Sequence, residues 1–531
     1  MLKPTPASPQ PHIAASAAAW ASPIPENARR AGKLAPLLAK LIEAEVFRLG
    51  WPVGHALGKE EELAVRFGVS RTVLREALAI TERDGVTRRQ RGRSGGLCVA
   101  APAQESVAVA LGSYLNAADM SEEQFSDCYG FLVALAYQMA AAACTEAEAT
   151  AARALAAQTL DTDSLEAVWR RVGQLHNHVL AMTKNRALQT FSAAMVYSGV
   201  ERLFAASIHT DPTISLDYGH QVLAGSCRQL ENIIAGDAET AIADARQIIA
   251  SWRDFYQPGP RVPLTLEQAT RVASSIGAIY QPGRPIKRAD ILARQLRHAI
   301  RIGAYRDGDR LDSEPLLMLR YQVSRGVLRE AIRTLEQHAV VRTEEGRGGG
   351  LCVNTPDSAV VVRSVTLYFR FLGLRPDELH QVGLAMELAV AKAIAQRVQI
   401  SGAAALEPLR AILAQKPADL SAAHVQHHLE QIFTAFTDAS GNPAFVVLTG
   451  IMRAFLTTAR TDSLGEAAST LDLSKYDTYL QHMREVEQAL EKGDGNLARR
   501  GLIVGRQIIF QMRLQARELE DMLEFVHDDH V

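Results

Sequence analysis

The chain has 531 residues, 47% of them hydrophobic, and a formal net charge of −2. That length exceeds one core, the near-neutral balance argues against indiscriminate nucleic-acid binding, and no apolar run reaches the roughly 18 residues of a membrane helix. Its five cysteines, Cys98, Cys128, Cys144, Cys227 and Cys352, have no metal-site spacing and are odd in number, which fits a reducing cytoplasm.

Residues 1–32 are rich in Pro, Ala and Ser and lack the segments of a signal peptide, so they read as a disordered tail. Residues 33–102 then form a first module. Leu37, Leu38, Ile42 and Val46 recur at helical spacing. A turn, Gly50–Gly54, leads to a second helix, Glu60–Phe67, which follows the poor cap Lys59 and is expected to fray. Ser70 caps a third helix to Asp84, with Val73, Leu74, Ala77 and Ile80 as its apolar stripe. Arg71 and Arg75, one turn apart, project together into water. Val86–Val99 reads as strand, glycine turn, strand, a β-hairpin wing with Cys98 at a buried strand position.

Residues 106–256 are Ala- and Leu-rich with helical period and predict an all-α bundle. Residues 257–285 carry Pro-Gly-Pro and Gln-Pro-Gly-Arg-Pro, a linker that a short helix, Leu266–Ser275, interrupts. The first pattern then returns over 286–356. Ile291, Leu292, Leu296 and Ile300 form its first stripe, Gly303–Gly308 its turn, Ser313–Tyr321 a well-capped second helix and Ser324–His338 the third. The wing is Val340–Val353, with Cys352 buried, and residues 359–527 are a second bundle.

The nonapeptide Val-Ser-Arg-x-Val-Leu-Arg-Glu-Ala stands at both Val69–Ala77 and Val323–Ala331, 254 residues apart. A solenoid repeats every roughly 20–50 residues, so this is duplication of a whole module. The fold class is mainly α: two winged helix-turn-helix domains with small hairpin wings, each followed by a helical bundle.

Two short helices joined by a tight turn, the second opening with arginines, suit the major groove. Arginine can fork onto guanine O6 and N7. A hydroxyl and free N–H groups at a helix start suit a phosphate, and arginines among glycines suit the minor groove. The DNA-binding candidates are Ser70, Arg71, Thr72, Arg75, Arg91, Arg93 and Gly95, then Ser324, Arg325, Gly326, Arg329, Arg347 and Gly349. A solvated surface pair is the commoner fate of two arginines, and recurrence in one context favours recognition. From Lys59 to Gly96 nine basic residues face six acidic ones, while from Tyr305 to Gly350 eight face eight. The first copy should therefore supply most of the phosphate attraction. Thr72 against Gly326 and Ala79 against Arg333 predict asymmetric half-sites.

The stretch Gly-Ala-Tyr-Arg-Asp-Gly-Asp-Arg-Leu-Asp-Ser-Glu (303–314), the repeated nonapeptide, and Glu-Gly-Arg-Gly-Gly-Gly-Leu-Cys-Val (345–353) resemble the winged helix-turn-helix of GntR-type transcription regulators. Gly54–Val99 resembles it equally. The bundles resemble the FCD effector domain of the FadR subfamily, through Ala-Ser-Gly-Asn-Pro (439–443), its weak echo Thr-Lys-Asn-Arg (183–186), Ala-Leu-Glu-Lys-Gly-Asp (489–494) and Ile-Ile-Ala-Gly-Asp-Ala (233–238). The resemblance places recognition arginines at Arg71, Arg75, Arg325 and Arg329, and wing residues at Arg93 to Gly96 and Arg347 to Gly350. Where the family has a DNA-touching arginine in the second helix, this chain has Glu61 and Pro315. The family's metal ligands fall on Val172, His176, Ser226 and Ile248, and on Leu429, Phe433, Met483 and Gly505. Only His176 keeps a ligand side chain, so neither metal nor cofactor is expected. The family's ligand-clamping Arg and Glu fall on Tyr129 and Val133, and on Gly383 and Glu387. Either the effector is not a small organic acid or the bundles only associate. His176, Asn185, Glu387 and Asn442 are the effector-binding candidates.

The sequence thus reads as a cytoplasmic, sequence-specific regulator of transcription, acting as a repressor. Two modules on one chain read a pseudo-palindromic operator in double-stranded DNA, as an intramolecular pseudo-dimer or a homodimer. The bundles sense a small-molecule effector, associate, or both. The alternative is an effector-independent or architectural DNA-binding protein. No nucleotide-binding, nucleophile-elbow or zinc-protease pattern suggests an enzyme.

Overall fold

The computed structural model describes residues 34–90, 96–118, 120–160, 164–207, 212–255, 264–270, 286–303, 305–338, 340–344, 350–354, 357–417, 419–464 and 472–512. The expected tail, most of the linker, both wing tips and the end of the second bundle lie outside the described residues. The chain divides into two units, Met1–Ala103 and Gln104–Val531.

In the first unit, α1 (Leu34–Arg48) buries Leu38, Ile42 and Val46 against α3 (Arg71–Arg83). The buried face of α3 is Leu74, Ala77, Leu78 and Thr81. Val73 and Ile80, expected within that stripe, are only half-buried. The stripe is rotated toward Thr81, whose hydroxyl meets that of Thr87 at 2.7 Å inside the core. Between them lies α2 (Glu60–Phe67). Its expected fraying is not supported: the Glu62 carboxylate accepts the Lys59 backbone N–H at 3.1 Å, whereas Ser313, the better cap by type, makes no side-chain cap bond.

The turn from α2 to α3 requires a left-handed residue, supplied by Gly68 (φ 62°) and, in the second copy, by Gln322 (φ 49°). The wing strands β2 (Thr87–Gln90) and β3 (Gly96–Val99) pair as expected, and Cys98 is buried in β3. An additional strand, β1 (Ala56–Gly58), lies on the other side of β3, giving the order β1-β3-β2. A Cβ at Gly96 would sit 2.8 Å from the Gly58 carbonyl oxygen, so the close strand approach demands glycine there.

Among the described residues, the second unit holds seven helices of a first bundle: α4 (Gln104–Ala117), α5 (Glu122–Ala143), α6 (Glu146–Ala156), α7 (Leu165–Met182), α8 (Arg186–Ser207), α9 (Pro212–Ile234) and α10 (Ala238–Phe255). Of the expected linker helix, residues 266–270 are described and are helical. The second winged module follows as α11 (Arg288–Ile302), α12 (Glu314–Tyr321), α13 (Arg325–Gln337), β4 (Val341–Glu344) and β5 (Gly350–Val353). Leu292, Leu296, Leu328, Leu335 and Val341 form its core, and Cys352 is buried. Here the counterpart of β1 shrinks to a single bridge, Arg310 to Cys352. The second bundle is α14 (Ser358–Phe371), α15 (Pro376–Ser401), α16 (Glu407–Ala414), α17 (Ala422–Ala439), α18 (Pro443–Leu464), α19 (Tyr476–Glu491) and α20 (Gly495–Met512).

One apolar core runs through both bundles, with α4 against α14 and α5 against α15 and α18. The seam is reciprocal. Asn185 caps α8 by accepting from Leu188 and donates at 2.8 Å to the carbonyl of Glu378 at the start of α15. Its counterpart Asn442 accepts from Ala444 and donates at 2.8 Å to the carbonyl of Gln124 at the start of α5. Gln124 and Glu378 are themselves 254 residues apart. Residue i meeting j while the equivalent of j meets the equivalent of i is the signature of an isologous interface. Arg186 reinforces one half by an ion pair to Glu378 at 2.5 Å.

Candidate nucleic-acid interface and the bundle cavities

In both copies a serine hydroxyl caps the third helix. Ser70 accepts from the Val73 N–H at 3.3 Å, and Ser324 from that of Val327 at 3.4 Å. Those serines still leave helix N–H groups free for an anion. Arg71 and Arg75 lie 67% and 65% exposed, and Arg325 and Arg329 63% and 64%. Thr72 and Gly326 are exposed beside them.

None of these guanidiniums is bare. Arg71 pairs with Glu61 at 3.0 Å and Arg75 with Glu60 at 3.2 Å, while Arg325 and Arg329 both approach Glu314 at 3.5 Å. The carboxylates open the preceding helix, and Glu60 and Glu314 are repeat equivalents. Exposed pairs of this kind contribute only ~0–1 kcal/mol, so a phosphate or guanine edge can displace them. Sequence reasoning missed this role of Glu60, Glu61 and Glu314. Arg91, Arg93, Gly95, Arg347 and Gly349 lie outside the described residues.

The second module is also anchored to the first bundle. Glu201 of α8 accepts from Arg297 of α11 at 2.8 Å, from the Tyr197 hydroxyl at 2.7 Å and from Asn116 at 2.9 Å, with Arg294 at 3.4 Å. Burial alone would push this carboxyl up, but the two guanidiniums and the hydrogen bonds bring it below the usual carboxylate range. The other end of the Arg297 fork donates at 2.9 Å to Nδ1 of His338, the C-cap of α13. Burial, then Arg297 and Arg294, hold His338 far below the ordinary histidine range and therefore neutral. A continuous polar chain so links a bundle helix to the end of an arginine-bearing helix. The only trace of it in the sequence is divergence between copies, Lys40 and Glu43 standing where Arg294 and Arg297 do.

Each bundle holds a partly open cavity. The first, of about 90 Å³, is lined by Tyr129, Val133, Val172, His176, Ser226 and Ile248 among others. The second, of about 110 Å³, is lined by Gly383, Glu387, Leu429, Phe433, Met483 and Gly505. These six pairs are the repeat-equivalent positions that the sequence resemblance singled out. The cavities differ in chemistry. The second contains the buried ion pair of Glu387 with Arg506, together with Glu430 and Arg453. Arginine therefore reaches this cavity from α18 and α20, although Gly383 vacates the expected position. Of the four effector candidates, His176 and Glu387 line the cavities. Asn185 and Asn442 do not: each is a helix cap whose amide is used across the seam, and this corrects their assignment. Among the described residues no three His, Cys, Asp or Glu side chains are grouped to hold a metal ion, and no helix is long and apolar enough to cross a membrane.

Helix, turn, serine-capped helix with exposed arginines, and hairpin make each module a winged helix-turn-helix. Residues 37–95 and 288–350, the two modules, both match the family of bacterial regulatory proteins of the gntR type. That family is one of regulators and not of enzymes. The chain is also 29% identical over 163 residues to RmpR of Mycobacterium gastri, described as an HTH-type transcriptional regulator. That match covers 30% of this chain and 58% of the relative. The solved GntR structure from Streptococcus agalactiae aligns over 42% of this chain and 99% of its own, with 16% identity and a TM-score of 0.31.

Proposed function

We propose that this chain is a sequence-specific, DNA-binding regulator of transcription in which each winged module reads one half of a pseudo-palindromic operator. The observation that carries this reading is the doubled arginine pair. Arg71 with Arg75 and Arg325 with Arg329 stand exposed on serine-capped helices, each paired with a displaceable carboxylate. The matches of both modules to gntR-type regulators support it. Ser70, Thr72, Ser324 and Gly326 lie alongside as backbone and base contacts, and the wings add Arg91, Arg93, Gly95, Arg347 and Gly349. Domains follow the sequence boundaries: winged modules at 33–102 and 286–356, FCD-like bundles at 106–256 and 359–527. The work is that of a cytoplasmic repressor, and the bundle cavities favour effector-responsive bundles over purely architectural ones.

The test is a gel-shift titration on DNA recovered by genome-wide footprinting. Replacing Arg71 and Arg75, or separately Arg325 and Arg329, with Ala should weaken binding about 10-fold or more per pair, since each good bidentate contact contributes ~1–3 kcal/mol. Negligible losses from both double variants would overturn the proposal.

A further inference from the structure

The cavity of the first bundle differs from its twin in one decisive respect. Among the described residues its wall contains no Asp, Glu, Lys or Arg. Val133 stands where Glu387 stands in the second, and His176 where Phe433 stands. Tyr129, Trp169 and Trp252 give it aromatic surface, Trp252 stacking on Tyr129 at 5.5 Å. Its polar groups are few, and three are engaged already. The Tyr137 hydroxyl donates to Gln229 at 2.7 Å and the Ser226 hydroxyl to the Val222 carbonyl at 2.9 Å. Two wall side chains instead carry a buried polar atom with no hydrogen-bond partner among the described residues, His176 Nε2 and Trp252 Nε1. An unmade buried hydrogen bond costs about 1–3 kcal/mol. Burial also pushes the His176 imidazole down to about 4, so it is neutral at physiological pH.

We propose that this cavity binds a neutral, ring-bearing small molecule carrying one hydroxyl or carbonyl group, with His176 and Trp252 as its polar contacts. An anion would be desolvated there without any countercharge, at a cost of several kcal/mol. A wholly apolar ligand would leave both polar atoms unmatched. A hydroxyl satisfies both, accepting from the indole N–H and donating to the imidazole nitrogen. The proposal rests on the reading of the chain as an effector-responsive regulator and names the class of effector for this bundle. The second cavity, with its buried guanidiniums, has different requirements, so one chain carries two unlike sites.

The probe is phenol, titrated calorimetrically into the full chain, with benzoate and toluene as charged and apolar counterparts. Phenol is expected to bind saturably and at least 10-fold more tightly than either. His176→Leu and Trp252→Phe should each lower phenol affinity about 10-fold while narrowing its advantage over toluene, a hydrogen bond contributing ~0.5–1.5 kcal/mol. Because His176→Leu could fail to fold, Trp252→Phe provides an independent measurement. Benzoate binding as tightly as phenol, no saturable phenol binding, or phenol affinity unmoved by the folded variants overturns the proposal. DNA titration of the same preparations separates this failure from that of the regulator reading, since no recognition arginine lines the cavity.

Discussion

His176 and His338 carry the clearest pH signature in the molecule. Both are held below the ordinary histidine value, His176 by burial alone, to about 4, and His338 by burial together with Arg297 and Arg294. With the folded value depressed, the unfolded chain binds more protons between the two values, so stability rises with pH across that window. It is intact above the unfolded value near 6.5 and is lost as pH falls toward 4. His176 as a residue is only half-buried, which keeps its share to on the order of 1–2 kcal/mol between pH 7 and pH 5. Urea midpoints at those two pH values should therefore converge in His176→Gln relative to the parent. An equal pH sensitivity in both proteins would assign the loss elsewhere.

At the scale of elements, the polar chain from Glu201 through Arg297 to His338 fixes how the second module is held. Glu201→Gln removes the carboxylate shared by Arg294 and Arg297, whose side chains are only 16% and 13% exposed. Breaking such a buried pair typically costs ~3–5 kcal/mol, because it strands a charge. Adding Arg297→Gln to Glu201→Gln should then cost much less than the sum of the two single losses. Strict additivity in a double-mutant cycle would show that the contact carries no coupling.

This chain of contacts was illegible in the sequence for a physical reason. Arg294 and Arg297 look like the polar face of an amphipathic helix, and only the docked bundle makes them buried. The third helices of the winged modules were legible because a 3.6-residue apolar period runs along them, whereas a bundle helix such as α15 is buried on most sides and shows no such stripe. The strand β1 was not, since Ala56-Leu57-Gly58 is too short to alternate and is defined wholly by its partner β3. The cap of α2 was hidden too, because Lys59 is a poor cap by type while the carboxylate comes from Glu62, three residues later. The cavity positions were legible through the family resemblance, whereas Asn185 and Asn442 misled because a capping amide and a ligand-binding amide look alike in a sequence.

At the scale of the whole molecule, the reciprocal seam matters most. The surface through which two copies of a bundle would associate is occupied within one chain, by Asn185 on Glu378, Asn442 on Gln124 and a shared apolar core. Covalent linkage places the two bundles at a high effective concentration, so the internal pairing outcompetes an intermolecular one unless the linker is strained. The expected consequence is one chain per two-half-site operator, with binding that follows chain concentration to the first power. Analytical ultracentrifugation of the complex on a footprinted duplex measures this directly. Asn185→Ala with Asn442→Ala, each removing a buried bond across the seam, should loosen the bundle pair before it affects either recognition helix. Two chains on one such duplex, with the seam variants leaving that stoichiometry unchanged, would mean that association uses a different surface and that the duplication serves some purpose other than internal pairing.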